Sequence, residues 1–203
     1  PVYFRNQPVG CTATIVTQMY REQGVEITKP IAGLLCSAIL SDTLMFRSPT
    51  CTPVDEQIAR ELAQIADIEI EDYAKQMFRA GSDLKGKAAD EIFYQDYKKF
   101  TANDVTFGVG QITSLDQSEL DEIKEKILPY MESVRKEQGL NMVFFMLTNI
   151  LEETTYLAMT GDESKEVIEN AFQTETDGQI AVLPGVMSRK KQLIPNVLNI
   201  VQE

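Results

Sequence analysis

The run Met142-Val-Phe-Phe-Met-Leu147 constrains the fold more than any other segment of this chain. Six consecutive apolar residues leave no side for water, as expected of a central strand covered on both faces. Such a strand needs helices packed above and below it. The neighbouring sequence supplies them. Residues 88–94 read as a short helix, and Val105, Phe107 and Val109 alternate as a half-buried strand. Leu120, Ile123, Ile127, Met131 and Val134 fall on one face of a long amphipathic helix, expected to bend at Pro129. Residues 156–159 form a further strand, 163–172 a helix and 180–183 a last strand. Strands alternating with helices define an α/β layer structure.

The part before this region reads as helical after one short extended segment, residues 2–5. Pro8 suits a helix start, Ile15, Val16, Met19 and Tyr20 form an apolar stripe, and Gly24 ends it. Thr28 and Pro30 open a second helix that is apolar almost all round over residues 31–40, the pattern of a helix deep in a core. Thr52 is the expected N-cap of a third, with Pro53 at its first position and Val54, Ile58, Leu62 and Ile65 on one face. Tyr73, Met77 and Phe78 mark a fourth, which Gly81 stops. The segment from Gly81 to Lys87 is polar and holds two glycines, so it is the expected boundary between residues 1–80 and 88–203. The chain opens Pro1-Val-Tyr-Phe-Arg5, without methionine and in strand-like residues, as a piece from the middle of a longer protein would.

Composition removes several function classes. A net charge of -12 is unsuited to binding a phosphate backbone, which draws its affinity from many Lys and Arg contacts, so no nucleic-acid partner is expected. No apolar run approaches the roughly 18 residues that span a membrane. Cys11, Cys36 and Cys51 are odd in number, widely spaced and set among apolar residues, which fits free thiols in a reducing cytoplasm. Histidine is absent, so these residues alone build no Ser-His or Cys-His nucleophile, and any metal they hold relies on oxygen.

Two places carry candidate chemistry. Asp42 stands alone in the otherwise apolar stretch Ser37-Ala-Ile-Leu-Ser-Asp-Thr-Leu44. It reads either as a helix-end carboxylate that caps the turn at residues 48–52 or pairs with Arg47, or as a ligand to a hard divalent cation. Ser188-Arg-Lys-Lys-Gln192 concentrates three cations in an acidic chain. It follows an expected strand through Gly185, and strand exits are where α/β proteins commonly bind ligands. Arg189 offers a planar fork for phosphate oxygens and Lys190 a movable point charge. Lys98, beside a strand start in Asp96-Tyr-Lys-Lys-Phe100, reads by itself as a surface lysine.

Taken together, Pro8-Val-Gly-Cys-Thr-Ala-Thr-Ile15, the Ser-Asp-Thr segment with Ser48-Pro-Thr-Cys-Thr52, and Ser188-Arg-Lys-Lys-Gln192 resemble family II inorganic pyrophosphatases, the manganese-dependent members of the DHH phosphoesterase superfamily. The resemblance runs along the whole chain and implies a fold and a site. Residues 1–80 would be the C-terminal part of a parallel-sheet DHH metal-binding domain, 81–87 a linker, and 88–203 a mixed-sheet α/β cap of the DHHA2 type. The resemblance assigns Asp42 to the metal and Lys98, Arg189 and Lys190 to pyrophosphate, and leaves Lys191 without a role. It implies a dinuclear manganese site, with cobalt or magnesium as alternatives, between the two domains of a cytoplasmic homodimer. The family's remaining metal ligands, an upstream His and Asp set and the Asp-His-His motif, have no counterpart here. The expectation is therefore a downstream portion that is inactive without the upstream part. Related DHH exopolyphosphatases and a non-catalytic phosphate-binding module are the competing readings.

Overall fold

The apolar run lies in β3 (Met142–Asn149), every residue of which is buried. β3 is the third strand of a six-stranded mixed sheet in the order β1-β2-β3-β4-β6-β5. These strands are β1 (Tyr97–Ala102), β2 (Val105–Ser114), β4 (Thr154–Thr160), β5 (Thr176–Asp177) and β6 (Ile180–Pro184). Only β2 and β3 run parallel, joined by the long α6 (Gln117–Glu137); the other neighbours pair antiparallel. The structure is a computed structural model that describes residues 2–81, 84 and 86–202. It divides into two compact units, Pro1–Gly81 and Ser82–Glu203. Residues 82, 83 and 85 of the expected linker lie outside the described residues, and Leu84, within it, is buried.

Each face of β3 has its own core, because alternate side chains of a strand point to opposite sides. Phe144 and Met146 meet Phe107, Val109, α7 (Ser164–Phe172) and α8 (Ile194–Val201) on one face. Val143, Phe145 and Leu147 meet α5 (Ala89–Phe93) and the apolar stripe of α6 on the other. All five expected stripe residues of α6 are buried. Three elements differ from the sequence reading. β1, an edge strand with Lys98 and Lys99 exposed, has too few apolar residues to announce itself, and such lysines suit an edge. β5 is only two residues long. The apolar tail after residue 193 is helical, and Pro195 in its first turn is compatible with that start.

The first unit is a cluster of four helices: α1 (Thr12–Glu22), α2 (Lys29–Asp42), α3 (Pro53–Ala66) and α4 (Ile70–Gly81). Residues 2–5 pair in no strand among the described residues, and Val2, Tyr3 and Phe4 are exposed. Extended apolar sequence forms a strand only where another strand offers hydrogen bonds. α1 starts four residues after Pro8 and is capped by Cys11, whose sulfur accepts from Ala13 N. Its buried face is Ala13, Thr14 and Thr17, and the expected stripe of Ile15, Val16, Met19 and Tyr20 is only half-buried. α2 likewise buries one face, Ala32, Cys36, Ile39 and Leu40, and leaves Leu34 68% exposed. In α3, Ile58 and Leu62 are buried but Val54 and Ile65 are exposed. These helices carry more apolar surface than their own unit covers.

Asp55 ties the first unit together. Thr52 caps α3 with its hydroxyl and Asp55 reaches back to Thr52 N at 2.9 Å, the reciprocal arrangement of a capping box. The same carboxylate also accepts from Gly10 N at 2.8 Å, Cys11 N at 3.3 Å and the Thr14 hydroxyl at 2.5 Å. It therefore joins the entry of α1 to the start of α3. Burial raises the Asp55 pKa, but the hydroxyls of Thr14 and Thr52 and the N–H groups of Gly10 and Thr52 together outweigh it, and the net shift is downward. A lowered carboxylate pKa stabilises the fold above the unfolded value and ceases to do so as pH falls through the folded one. Asp55→Ala should cost about 2–4 kcal/mol by removing charge-assisted bonds and a helix cap. Hydrogen exchange of the amides of α1 and α3 checks this, with the wild type loosening there in acid.

Candidate functional site

Asp42 is the last residue of α2 and is exposed, not enclosed by the apolar residues that flank it in sequence. The helix end turns its carboxylate into a cavity of about 320 Å³, shared with Arg5, Gln7, Gly10, Cys11 and Ile15. The chain then enters an unusual turn: Leu44, Met45 and Phe46 have φ of 50°, 52° and 70°. Three successive non-glycine residues in the left-handed region are strained, by about 1–2 kcal/mol each. Met45 N to Leu40 O (2.8 Å), Ser48 N to Thr43 O (2.9 Å) and the Thr43 hydroxyl to Ile39 O (2.6 Å) hold the turn. No glycine or asparagine signals it in the sequence.

Among the side chains that line this cavity, Asp42 carries a carboxylate and Gln7 an amide oxygen. Gln7 Oε1 is buried and has no hydrogen-bond partner among the described residues. Arg5 is occupied elsewhere, bonded to Glu22 at 2.5 Å and to Gln18 at 3.0 Å. The Cys11 thiol is pushed up to about 12 by burial and by its hydrogen bond to Asp42, so it stays protonated at neutral pH. A carboxylate and an orphaned amide oxygen fit the preference of a hard divalent ion. They are too few to hold one alone, and no group of three or more His, Cys, Asp or Glu suited to a metal occurs among the described residues.

The cations lie in the second unit and are built differently from each other. Gly185, at φ 74°, turns the chain out of β6, and residues 189–193 form a π-helical turn that leads into α8. Gln192 staples that turn: its Oε1 accepts from Met187 N at 2.8 Å and Ser188 N at 3.0 Å, and its Nε2 donates to Gly185 O at 2.7 Å. The Ser188 hydroxyl accepts from Lys191 N at 3.2 Å. Lys190 and Lys191 are exposed, as a basic run ordinarily is. Arg189 is not. It is 7% exposed and donates to Asp96 O at 2.7 Å, to Val109 O at 3.2 Å and to Asp96 Oδ1 at 2.6 Å.

Those contacts bring the basic run to the strand edge that carries Lys98. Lys98 is paired with Val109 across β1 and β2, and cross-strand partners point to the same face of a sheet. Val109 faces the core that Leu193, Ile194 and Val197 help to build. Lys98 and the turn bearing Arg189 and Lys190 thus belong to one face and one corner of the second unit. Tyr97, beside Lys98, is seated by Gly108, where a Cβ would meet its hydroxyl at 2.3 Å; a Cβ on Gly110 would meet the Phe145 ring at 2.5 Å. Asp96, Gln192, Gln7 and Asp55 were not among the sequence candidates; isolated polar residues carry no local pattern that reveals tertiary partners.

Comparison with known proteins decides the family. Residues 75–200 match the DHHA2 domain. The whole chain superposes on a crystal structure of the Methanococcus jannaschii "putative family II inorganic pyrophosphatase" with a TM-score of 0.84 and 35% identity, covering 68% of it. The chain belongs to the DHHA2 family and, within it, to the family II inorganic pyrophosphatases. It is 46% identical over 202 residues to the "Probable manganese-dependent inorganic pyrophosphatase" of Clostridium acetobutylicum, covering all of this chain and 65% of that relative. It is 44% identical over 201 residues to the "Cobalt-dependent inorganic pyrophosphatase" of Clostridium perfringens, of which it covers 36%. The chain thus spans less than two thirds of these curated relatives. The DHHA2 match begins within α4, a little upstream of the boundary between the two units.

The thiols report on the cavity at Asp42. Cys11 and Cys36 are buried and Cys51 is half-buried. Burial pushes Cys36 up to about 11, and it raises Cys51 as well. Native alkylation followed by mass spectrometry should label Cys51 first. Asp42→Asn should speed labelling of Cys11, because the lost carboxylate is one of the groups raising that thiol's pKa.

Proposed function

We propose that the full-length protein hydrolyses inorganic pyrophosphate to two phosphates, and that this chain supplies the substrate-holding cap and one metal ligand. The observation that supports the reading is that the turn bearing Arg189 and Lys190 is held, through Arg189, to the strand edge that carries Lys98, on an otherwise acidic chain of net charge -12. Three cations gathered at the edge of an anionic protein suit a small, highly charged anion better than a polyanionic surface partner. The names of the relatives supply the substrate and metals: pyrophosphate, with manganese or cobalt.

In this reading residues 1–80 are the C-terminal part of a DHH metal-binding domain and 88–203 the cap, joined by 81–87. Asp42, which lines an open cavity, contributes one ligand to a dinuclear site completed by upstream residues. When bound, the divalent ions supply Lewis acidity and lower the pKa of the attacking water. The chain's own part is electrostatic. Arg189, already fixed by its protein bonds, presents its remaining N–H groups to phosphate oxygens without reorganising. Lys190 and Lys98 are exposed and free to move onto the substrate, where they neutralise charge on the leaving phosphate. The protein is a cytoplasmic homodimer in this reading; its three free cysteines suit a reducing compartment.

In the full-length protein, Arg189→Ala should lower kcat/KM about ten- to hundredfold, the equivalent of roughly 1.5–3 kcal/mol for a hydrogen bond to a charged group. Lys191→Ala should change it by no more than about twofold. Steady-state phosphate release checks both, and equal small effects would return the run to a solubility role. The 203-residue chain with manganese should release negligible phosphate and recover activity only when the upstream segment is added. Substantial hydrolysis by the chain alone would overturn the ligand assignment.

A further inference from the structure

We propose that Asp96 is the positioning residue for Arg189, holding the guanidinium so that one pair of its N–H donors remains open for a phosphate oxyanion. The inference rests on the reading of Arg189 as a pyrophosphate-holding side chain. A guanidinium carries five N–H donors in a rigid plane. In Arg189, Nη1 donates to Asp96 O at 2.7 Å and Val109 O at 3.2 Å, and Nη2 donates to Asp96 Oδ1 at 2.6 Å. The Nε–H and one N–H of Nη2 have no protein acceptor among the described residues. That is the number of donors a phosphate takes in a bidentate contact.

Asp96 makes two of the three protein contacts, one through its backbone and one through its side chain. Its carbonyl is itself fixed, because it also accepts from Gln111 N at 3.2 Å across the strand edge. The Arg189 side chain is 8% exposed, so a loose guanidinium would be a costly buried charge. The Asp96 side chain is 41% exposed and gives that charge a counter-ion at the open side of the corner. Asp96 and Val109, the two residues that grip Arg189, also bracket Lys98: Asp96 lies two positions before it, and Val109 is its cross-strand partner. One small set of anchors therefore sets the position of both cations. Asp96 carries no charge complementary to the substrate, which is why its residue type suggests no part in binding an anion.

The test is pyrophosphate titration of the 203-residue chain, followed by the ¹H–¹⁵N signal of the Arg189 Nε–H and by calorimetry, with melting temperatures recorded for every variant. In the wild type the Arg189 signal should shift with pyrophosphate. Asp96→Ala should bind about tenfold more weakly, with the Arg189 signal less responsive. Asp96→Asn keeps an oxygen acceptor in place and should stay within about threefold of the wild type. Rescue by Asn at unchanged melting temperature is the signature of positioning, which a general loss of fold would not produce. Wild-type-like or tighter binding by Asp96→Ala, or Asn as weak as Ala, overturns the role of Asp96 while leaving the site intact. A wild-type chain whose Arg189 signal does not move with pyrophosphate overturns the assignment of Arg189 itself.

Discussion

Covering both faces of β3 is the constraint on which the second unit depends. Eight consecutive buried residues leave the strand no contact with water, so each face must find its own layer of helices. One layer is α5 and α6, the other α7 and α8. To lay α8 on the second face, the chain must leave β6, turn at Gly185 and fold back over the sheet. The π-helical turn at residues 189–193 lies on that path. The cationic corner is thus a by-product of closing the core: the segment that brings Leu193, Ile194 and Val197 onto Val109 also delivers Arg189 to the β1–β2 edge.

The two units handle buried charge in the same manner. In the first, the fully buried carboxylate is Asp55, and it survives because five donors from the entry of α1 and the cap of α3 surround it. In the second, the buried cation is Arg189, held by two carbonyls and a carboxylate. Ionised groups are tolerated inside only when hydrogen bonds replace their hydration. The less satisfied groups include Asp42 at an open helix end, Gln7 Oε1 without a partner among the described residues, and Lys98 and Lys190 in water. A residue that is fully engaged in its own fold stabilises it; one that is incompletely engaged is available to a ligand. Arg189 is intermediate, because it has five donors and uses three of them among the described residues.

Helix faces show how far periodicity carries. In α6 the stripe read from the sequence is the buried face, since a layer of sheet lies against it. In α1, α2 and α3 the apolar stripes are only partly covered, and small or polar residues such as Ala13, Thr14 and Thr17 are buried in their place. Periodicity reveals which residues favour burial, and not which neighbours are present to bury them. The same limit applies to the extended residues 2–5, which have strand-like composition and no strand to pair with among the described residues.

The alternation of apolar runs, the helix starts at Thr28 and Thr52 and the glycine stop at Gly24 are local, and local sequence was sufficient to determine them. Cooperating motifs far apart in the chain were enough to indicate the family, because each fixes a side-chain type at a set place in order. The exposure of Asp42, the burial of Arg189, the left-handed turn at residues 44–46 and the bonds between Arg189 and Asp96 were decided only by tertiary structure. Each depends on a partner distant in sequence or on a backbone path enforced by packing. A side chain's charge is written at its own position; its desolvation and its hydrogen bonds are written by whatever the fold places beside it.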